Sequence, residues 1–359
     1  MENPAQSSQK QIRTLIVDDS EVMRNLLAAT LDADPEITVV GSANDPMEAR
    51  TMIKQLHPDV LTLDVEMPKM DGLSFLRNLM RLRPMPVVMV SSLTTKGATV
   101  SLDAMSIGAV DFIAKPLALD GSLENFAREL NEKVRTAARI DVSGRSKATL
   151  EVAKSVKRLP GIIKTQKTLV AIGGSTGGTE AIKLVLSQLP ESTPGVLITQ
   201  HIPPKFSKPF AARLDGCSAL NVQEAEDGAP ITTGVAFVAP GDKHLEVVNR
   251  SGRLFCRLSD APPEHYQKPA VDVLFRSVVR AVGGKAVGVV LTGMGRDGGD
   301  GLKAMHEAGA TTLAQDEASS VVWGMPGHAV FLEAADEIVS LDSMAEYIVS
   351  ALAASKRLR

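Results

Sequence analysis

The 359-residue sequence predicts two α/β domains in tandem, each a mostly parallel, doubly wound sheet covered by helices on both faces. Three observations carry this. Apolar runs of strand length alternate with segments whose apolar residues recur at helical spacing. The alternation is broken once, by a polar and basic stretch, and then resumes. The chain is also longer than one average domain of about 100–150 residues.

In the first half, "TLIVDD" (14–19), "TVVGSA" (38–43), "DVLTLDV" (59–65), "PVVMVSS" (86–92) and "DFIAKP" (111–116) read as five buried strands. Between them lie helical patterns such as Val22, Leu26, Leu27 and Leu31. Strands separated by helices imply a parallel sheet. This domain is placed at 12–133. Residues 134–166, from "VRTAARIDVSGRSKATLEV" onward, are polar, basic and weakly periodic, and read as a linker with helical patches near Leu150 to Val156. Its Lys and Arg residues serve either as a solvated tether or as a docking surface for an acidic partner. The second domain, 167–359, resumes with "TLVAIG", "GVLITQ", "VAFVAP", "AVGVVLTG" and "TTLAQ" as strands, and helices over 178–188, 270–281 and 299–308, the last stopped by Gly309.

Composition excludes several classes. With 44% hydrophobic and 23% charged residues the chain is an ordinary globular one. A formal charge of −3 argues against nucleic acid as a partner. Cys217 and Cys256 lack metal-ligand spacing and read as reduced thiols. No run approaches the roughly 18 apolar residues of a membrane span, and "MENPAQSSQKQIR" lacks the apolar core of a signal peptide, so direct membrane insertion is not expected and a cytoplasmic location is.

In open parallel sheets, ligands bind beyond the carboxyl ends of the strands, so strand ends are where chemistry is sought. In the first half Asp18 and Asp19 end the first strand and Asp64 ends the third. Ser91 and Ser92 end the fourth, and Lys115 ends the fifth. Three neighbouring carboxylates repel one another unless a cation is held among them, and all-oxygen ligands favour Mg²⁺. A carboxylate beside Mg²⁺ and a Lys is equipped to accept a phosphoryl group. The plainer alternative, that each Asp merely caps a helix, suffices for any one of them but not for the set. These residues, in "VDDS", "LTLDVEMPKMDG", "VSS" and "AKP", resemble the receiver domain of two-component response regulators. That resemblance implies a flavodoxin-like fold, with Asp64 as phosphoacceptor, Asp18 and Asp19 completing the Mg²⁺ site and Lys115 stabilising the phosphoryl group. It implies a switch hydroxyl at Ser91 or Ser92, of which counting from the strand end favours Ser91.

The second half opens with "TLVAIGGSTGGTE" (168–180), a glycine-rich turn suited to cradling phosphate or to presenting a nucleophile. A dinucleotide fingerprint fails because Ser175 stands where its second glycine is needed. A triphosphate loop fails because Thr179 and Glu180 follow the last glycine, and an acidic first turn repels phosphate. Gly173 to Gly177 do satisfy G-x-S-x-G on a strand-to-helix turn. The modest alternative is that Ser175 only N-caps the next helix. A nucleophilic serine needs a base and an orienting acid. Of the six histidines, His57, His244, His265, His306 and His328 lack an evident strand end, whereas His201 ends "GVLITQ". In "VLTGMGRDGGDG" Asp297 is the nearer acid to its strand, and Asp300 is expected to cap the following helix.

"VAIGGSTGGTEA", "TQHIP", "FVAPGDKHL", "PAVDVLF", "VLTGMGRDGGDG" and a late "GMP" resemble the chemotaxis protein-glutamate methylesterases, the CheB family; with the receiver in front, the resemblance spans nearly the whole chain. It implies Ser175 as nucleophile, His201 as base and Asp297 as orienting acid, with Thr176 and Met294 lining the site and the Met294 N–H as oxyanion donor. The family usually has Ala where this chain has Gly174. The implied activity is hydrolysis of glutamate γ-methyl esters on the cytoplasmic domains of chemoreceptors, with glutamine deamidation in some members. No metal is implied for that step. A histidine kinase of the chemotaxis system would supply the phosphoryl group, and phosphorylation would relieve inhibition by the receiver. Two other classes fit less well: for a DNA-binding output the chain lacks a helix-turn-helix pattern, and for a nucleotide-dependent oxidoreductase it lacks the fingerprint.

Overall fold

The computed structural model describes residues 11–67, 72–116, 122–142, 159 and 168–353. The chain divides into two compact units, at Leu150/Glu151.

The first unit is a five-stranded sheet of order β2-β1-β3-β4-β5 in which every pairing is parallel. Its strands are β1 (Ile12–Val17), β2 (Ile37–Ala43), β3 (Val60–Asp64), β4 (Val87–Ser91) and β5 (Asp111–Ala114). The intervening helices are α1 (Glu21–Asp32), α2 (Pro46–Leu56), α3 (Gly72–Leu82), α4 (Thr95–Ile107) and α5 (Ser122–Ala138). β3 and β4 are buried at every residue, as strands covered on both faces must be. Local chemistry starts the helices where the sequence says it should. Ser20 accepts from the Met23 N–H, Asp45 from Met47 and Glu48 ahead of Pro46, and Thr94 from Gly97. β1 stops at Val17 and β5 at Ala114, so Asp18, Asp19 and Lys115 stand just beyond their strands rather than within them. α5 runs on to Ala138, past the expected boundary at 133, because Leu130, Val134 and Ala137 continue its buried stripe. The remainder of the expected linker, including the patch at 150–156, lies outside the described residues apart from 139–142 and 159.

The second unit is a seven-stranded sheet of order β14-β13-β12-β6-β7-β9-β8, again parallel at every pairing. Its strands are β6 (Leu169–Gly174), β7 (Gly195–Gln200), β8 (Asn221–Glu224), β9 (Val235–Val238), β12 (Ala286–Val290), β13 (Thr311–Gln315) and β14 (Glu337–Val339). Helices α6 (Gly178–Gln188), α7 (Ser207–Asp215), α8 (Val271–Val282), α9 (Gly299–Glu307), α10 (Met325–Phe331) and α11 (Met344–Ala353) complete it. From β6 the chain winds one way, through β7 to β9. It then returns to lay β12 on the other edge of β6 and winds the opposite way. The reversal places a crevice at the carboxyl ends of β6 and β12.

One element departs from the parallel plan. An antiparallel hairpin, β10 (His244–Arg250) and β11 (Arg253–Ser259), turns at Ser251-Gly252, both left-handed with φ of 51° and 85°. It packs on α8, whose Ser277 hydroxyl accepts from the Val247 N–H at 2.9 Å. Asp300 does not cap α9. Gly298, with φ of 88°, occupies the cap, and Asp300 lies inside the first turn.

Candidate active site and phosphoacceptor site

Ser175 follows the last residue of β6. Its N–H donates to the Thr292 carbonyl at 3.0 Å, which ties the turn to the segment after β12. Its carbonyl accepts from Gly178 N–H at 2.7 Å and from Gln200 Nε2 at 2.8 Å. Three elements therefore grip the backbone of one half-buried serine and leave its hydroxyl outside these bonds. Ser175 does not cap α6. That position belongs to Gly177, which has φ of 77° and makes no side-chain cap bond. Only glycine adopts that conformation at no steric cost, and an added Cβ would meet Val321 Cγ2 at 2.4 Å. Gly293 is the other requirement, since a Cβ there would lie 2.7 Å from Ser175 Cβ. Gly174, the family's usual Ala, faces Gln200, and a Cβ would come within 3.1 Å of Gln200 Oε1.

His201 is the first residue after β7, and its N–H donates to the Gly174 carbonyl at 3.1 Å. Its side chain is 8% exposed, and Nε2 lies 2.7 Å from Asp297 Oδ2. Nδ1, the other ring nitrogen, is buried and has no hydrogen-bond partner. The Ser175 hydroxyl thus makes no bond to it in this conformation, a common looseness in sites without substrate.

Asp297 is 1% exposed. Its Oδ2 also accepts the Val271 N–H at 2.7 Å, and Oδ1 accepts the Asp272 N–H at 2.9 Å. These are orphan donors of the first turn of α8, at the positive end of its dipole. Burial pushes the carboxyl up, but the His201 hydrogen bond and charge and the two backbone donors outweigh it, holding Asp297 below the usual carboxylate range. Thr176 follows the serine in the turn after β6, and Met294 lies in the loop after β12. The Thr176 carbonyl accepts from Thr292 Oγ1 at 3.0 Å, and Met294 follows Gly293 directly.

In the first unit, Lys115 Nζ lies 2.8 Å from Asp18 Oδ2 and 2.9 Å from Asp64 Oδ2, with both carboxylates almost fully buried. Burial raises the Asp64 carboxyl and is opposed chiefly by Lys115; the Lys115 ammonium, which burial alone would lower, is instead raised by Asp18 and Asp64. Carboxylate oxygens of Asp18, Asp19 and Asp64 lie within 4.8 Å of one another, with Asp19 exposed to solvent. A hard, all-oxygen donor set of this charge fits Mg²⁺. Ser91 is fully buried at the end of β4, and its carbonyl accepts the Lys115 N–H at 2.7 Å. The Ser92 hydroxyl is engaged with Glu66 at 2.9 Å and Thr94 at 3.1 Å, whereas the Ser91 hydroxyl donates to the Ser92 carbonyl at a longer 3.4 Å, which leaves Ser91 the more loosely held of the two.

All ten expected site residues therefore stand at carboxyl ends of strands or on the loops that follow them. Sequence reasoning missed Gln200, which holds the Ser175 carbonyl, and the start of α8, which holds Asp297 from 25 residues upstream in the chain. The "PAVDVLF" stretch was the available signal for the latter.

An acidic pocket bridged by a lysine, followed by a doubly wound sheet with serine, histidine and aspartate at its switch point, defines a response regulator whose output domain is a hydrolase. Residues 14–126 match the response regulator receiver domain and residues 170–348 match the CheB methylesterase domain. The chain is 49% identical to a protein-glutamate methylesterase/protein-glutamine glutaminase of Hydrogenovibrio crunogenus, over 94% of this chain and 98% of that one. It is 53% identical to one of Xanthomonas campestris, covering 96% and 98% of the two chains. The second unit resembles the Thermotoga maritima CheB methylesterase catalytic domain, at 34% identity and a TM-score of 0.50, covering 51% of this chain and 98% of that one. The chain belongs to the CheB family of chemotaxis methylesterases with an N-terminal receiver. Among the described residues, no helix is long and apolar enough to cross a membrane.

Proposed function

We propose that the protein hydrolyses glutamate γ-methyl esters, and deamidates glutamines, on the cytoplasmic domains of chemoreceptors, with phosphorylation of Asp64 raising the rate. Its relatives carry both activities in their names. The observation that carries the mechanism is His201, held through its own N–H to the serine turn and through Nε2 to the buried Asp297.

The atoms assign the roles. Asp297 accepts from Nε2–H, so the proton sits on Nε2 and the lone pair on Nδ1. Nδ1 is then the base toward Ser175. Ser175 Oγ attacks the ester carbonyl carbon and its proton passes to Nδ1. The tetrahedral oxyanion collapses, the C–O bond to the methoxy group breaks, and the proton on Nδ1 leaves with methanol. Water then attacks the acyl-serine, gives a proton to Nδ1, and releases the glutamate carboxylic acid, which ionises, as Ser175 is reprotonated. With glutamine, ammonia leaves in place of methanol. Asp297 stays ionised throughout and compensates the imidazolium. The Met294 N–H is the oxyanion donor in this reading, a contribution of about 3 kcal/mol.

In the receiver, Asp18, Asp19 and Asp64 would hold Mg²⁺, which supplies charge neutralisation for phosphoryl transfer. A histidine kinase is the phosphodonor, Asp64 Oδ accepts, and Lys115 and Ser91 stabilise the product.

Methanol release from methylated receptor membranes tests the reading. Ser175→Ala should lower kcat by about 10⁶-fold, by analogy with other serine hydrolases. A mutant with turnover within tenfold of wild type would refute the nucleophile assignment.

A further inference from the structure

Behind the His201–Asp297 pair lies a second histidine–aspartate pair that the proposed mechanism does not use. Asp272, the second residue of α8, is fully buried. Its backbone N–H donates to Asp297, while its own carboxylate accepts the Gly301 N–H at 2.6 Å and faces His265 Nε2 at 3.1 Å. His265 and Tyr266 turn in a tight loop closed by reciprocal bonds between Glu264 and Gln267, and both hold left-handed backbone, φ 50° and 63°. Such conformations are disfavoured for L residues and persist only where the surroundings impose them. Here the turn aims His265 inward. On its other side Arg296 Nε donates to His265 Nδ1 at 3.3 Å, and Arg296 is the residue before Asp297. A closed circuit results, from Asp297 through the Asp272 N–H to the Asp272 carboxylate, His265, Arg296 and back along the chain to Asp297.

Glu264, His265 and Asp272 bring ligand-type atoms within 4.8 Å of one another, so a metal is the first alternative. The hydrogen bonds oppose it. Nδ1 accepts from Arg296, which leaves the hydrogen on Nε2 and no lone pair directed at Asp272. Glu264 is meanwhile paired with Arg276.

We propose that His265 and Asp272 are positioning residues for the hydrolase, clamping Asp297 so that it orients His201. This rests on the Ser175–His201–Asp297 reading. Asp272 ties the start of α8 to the start of α9, and Asp297 sits between those two helix starts. Freeing the Asp272 carboxylate from His265 loosens the donors that hold Asp297. The groups facing Asp272 are Asp297, His265 and Arg276, with Glu264 and Arg296 on the far side of His265. Burial and the Asp297 charge push the Asp272 carboxyl up to about 6, against the Gly301 N–H, Arg276 and His265. Its charge is therefore present above about pH 6 and lost below it, beside the pair that must stabilise the imidazolium.

The test measures kcat/KM for methanol release by the full-length protein from pH 5 to 9, with thermal unfolding alongside. His265→Ala should lower kcat/KM roughly tenfold, as misplacement by a fraction of an ångström does, at little cost in thermal midpoint. His265→Gln, which keeps an N–H donor for Asp272, should recover most of the loss. Asp272→Asn should move the acid limb of the profile to lower pH, because removing an anion beside the pair disfavours the imidazolium. An unchanged rate in His265→Ala overturns the proposal, as does a loss that Gln does not rescue. If Asp272→Asn does not fold, the two His265 variants decide. Retained turnover in Ser175→Ala would overturn both readings, whereas a dead Ser175→Ala with an indifferent His265→Ala would overturn this one alone.

Discussion

Replacing Asp297 by Asn changes almost no volume and reverses one hydrogen-bonding atom. The carboxylate accepts three bonds, from His201 Nε2 and from the N–H groups of residues 271 and 272. The amide keeps one acceptor oxygen, which the Asp272 N–H can satisfy. Its NH₂ then points at the Val271 N–H, donor against donor at 2.7 Å, inside a site with 1% exposure. A buried N–H left without an acceptor costs about 1–3 kcal/mol, and the lost charge-assisted bond about 1.5–3. The unit should therefore lose roughly 3–5 kcal/mol at neutral pH, in the range of broken buried pairs. The same NH₂ can only donate to Nε2, which forces the ring hydrogen onto Nδ1, the atom that must receive the Ser175 proton. On that account kcat falls about 10⁴-fold, as for other triads whose acid becomes an amide.

The sign of the pH dependence follows. The Asp297 carboxyl lies below its unfolded value of about 3.9, so its stabilisation is present above that pH and lost as pH falls through the folded value. The stability gap between wild type and Asn should thus be full at pH 7 and shrink below about pH 4. Urea unfolding followed by Trp323, the single tryptophan, reads the catalytic unit, and methanol release reads the chemistry. Turnover within tenfold of wild type, or a gap that does not shrink on acidification, would refute the argument.

Gly293→Ala places a Cβ 2.7 Å from Ser175 Cβ, so the nucleophile must shift; kcat/KM should fall by about 10²-fold while secondary structure is kept, and unchanged kinetics would contradict the close packing of this loop. Asp64→Asn should abolish phosphate incorporation from acetyl phosphate with Mg²⁺, read on a phosphate-affinity gel, and label persisting in the variant would move the phosphoacceptor elsewhere. Phosphodonor with Mg²⁺ should raise methanol release by wild type and leave the Asp64→Asn rate where it was; equal stimulation of both would sever the receiver from regulation.

Sequence by itself determined most of the architecture, because period and punctuation are local. Five apolar runs, four of them ending in Asp, Asp, Ser and Lys, and a second set ending in Ser175, His201 and the Asp297 loop, could be placed in order from the sequence. The glycine turn could be assigned to a nucleophile because a missing glycine, a missing lysine and Glu180 are each read from one position. The hairpin 244–259 escaped, since its seven-residue strands carry polar residues on one face and were outnumbered by parallel signals around them. Helix α5 overran its expected end for a related reason: a basic surface disguised the buried stripe at Leu130, Val134 and Ala137.

Only the tertiary structure decided how the strand ends meet. The return of the chain to lay β12 beside β6 brings Asp297 to His201 across 96 residues, and no local pattern encodes that separation. It also decided which ring nitrogen faces the acid. A histidine in a sequence has two equivalent candidates, and the choice rests on where the first turn of α8 and the Gly174 carbonyl hold the two partners. His265 shows the same limit most plainly: six residues before α8 begins, in a Pro-rich stretch, it has no strand end to mark it until the fold turns it onto Asp272.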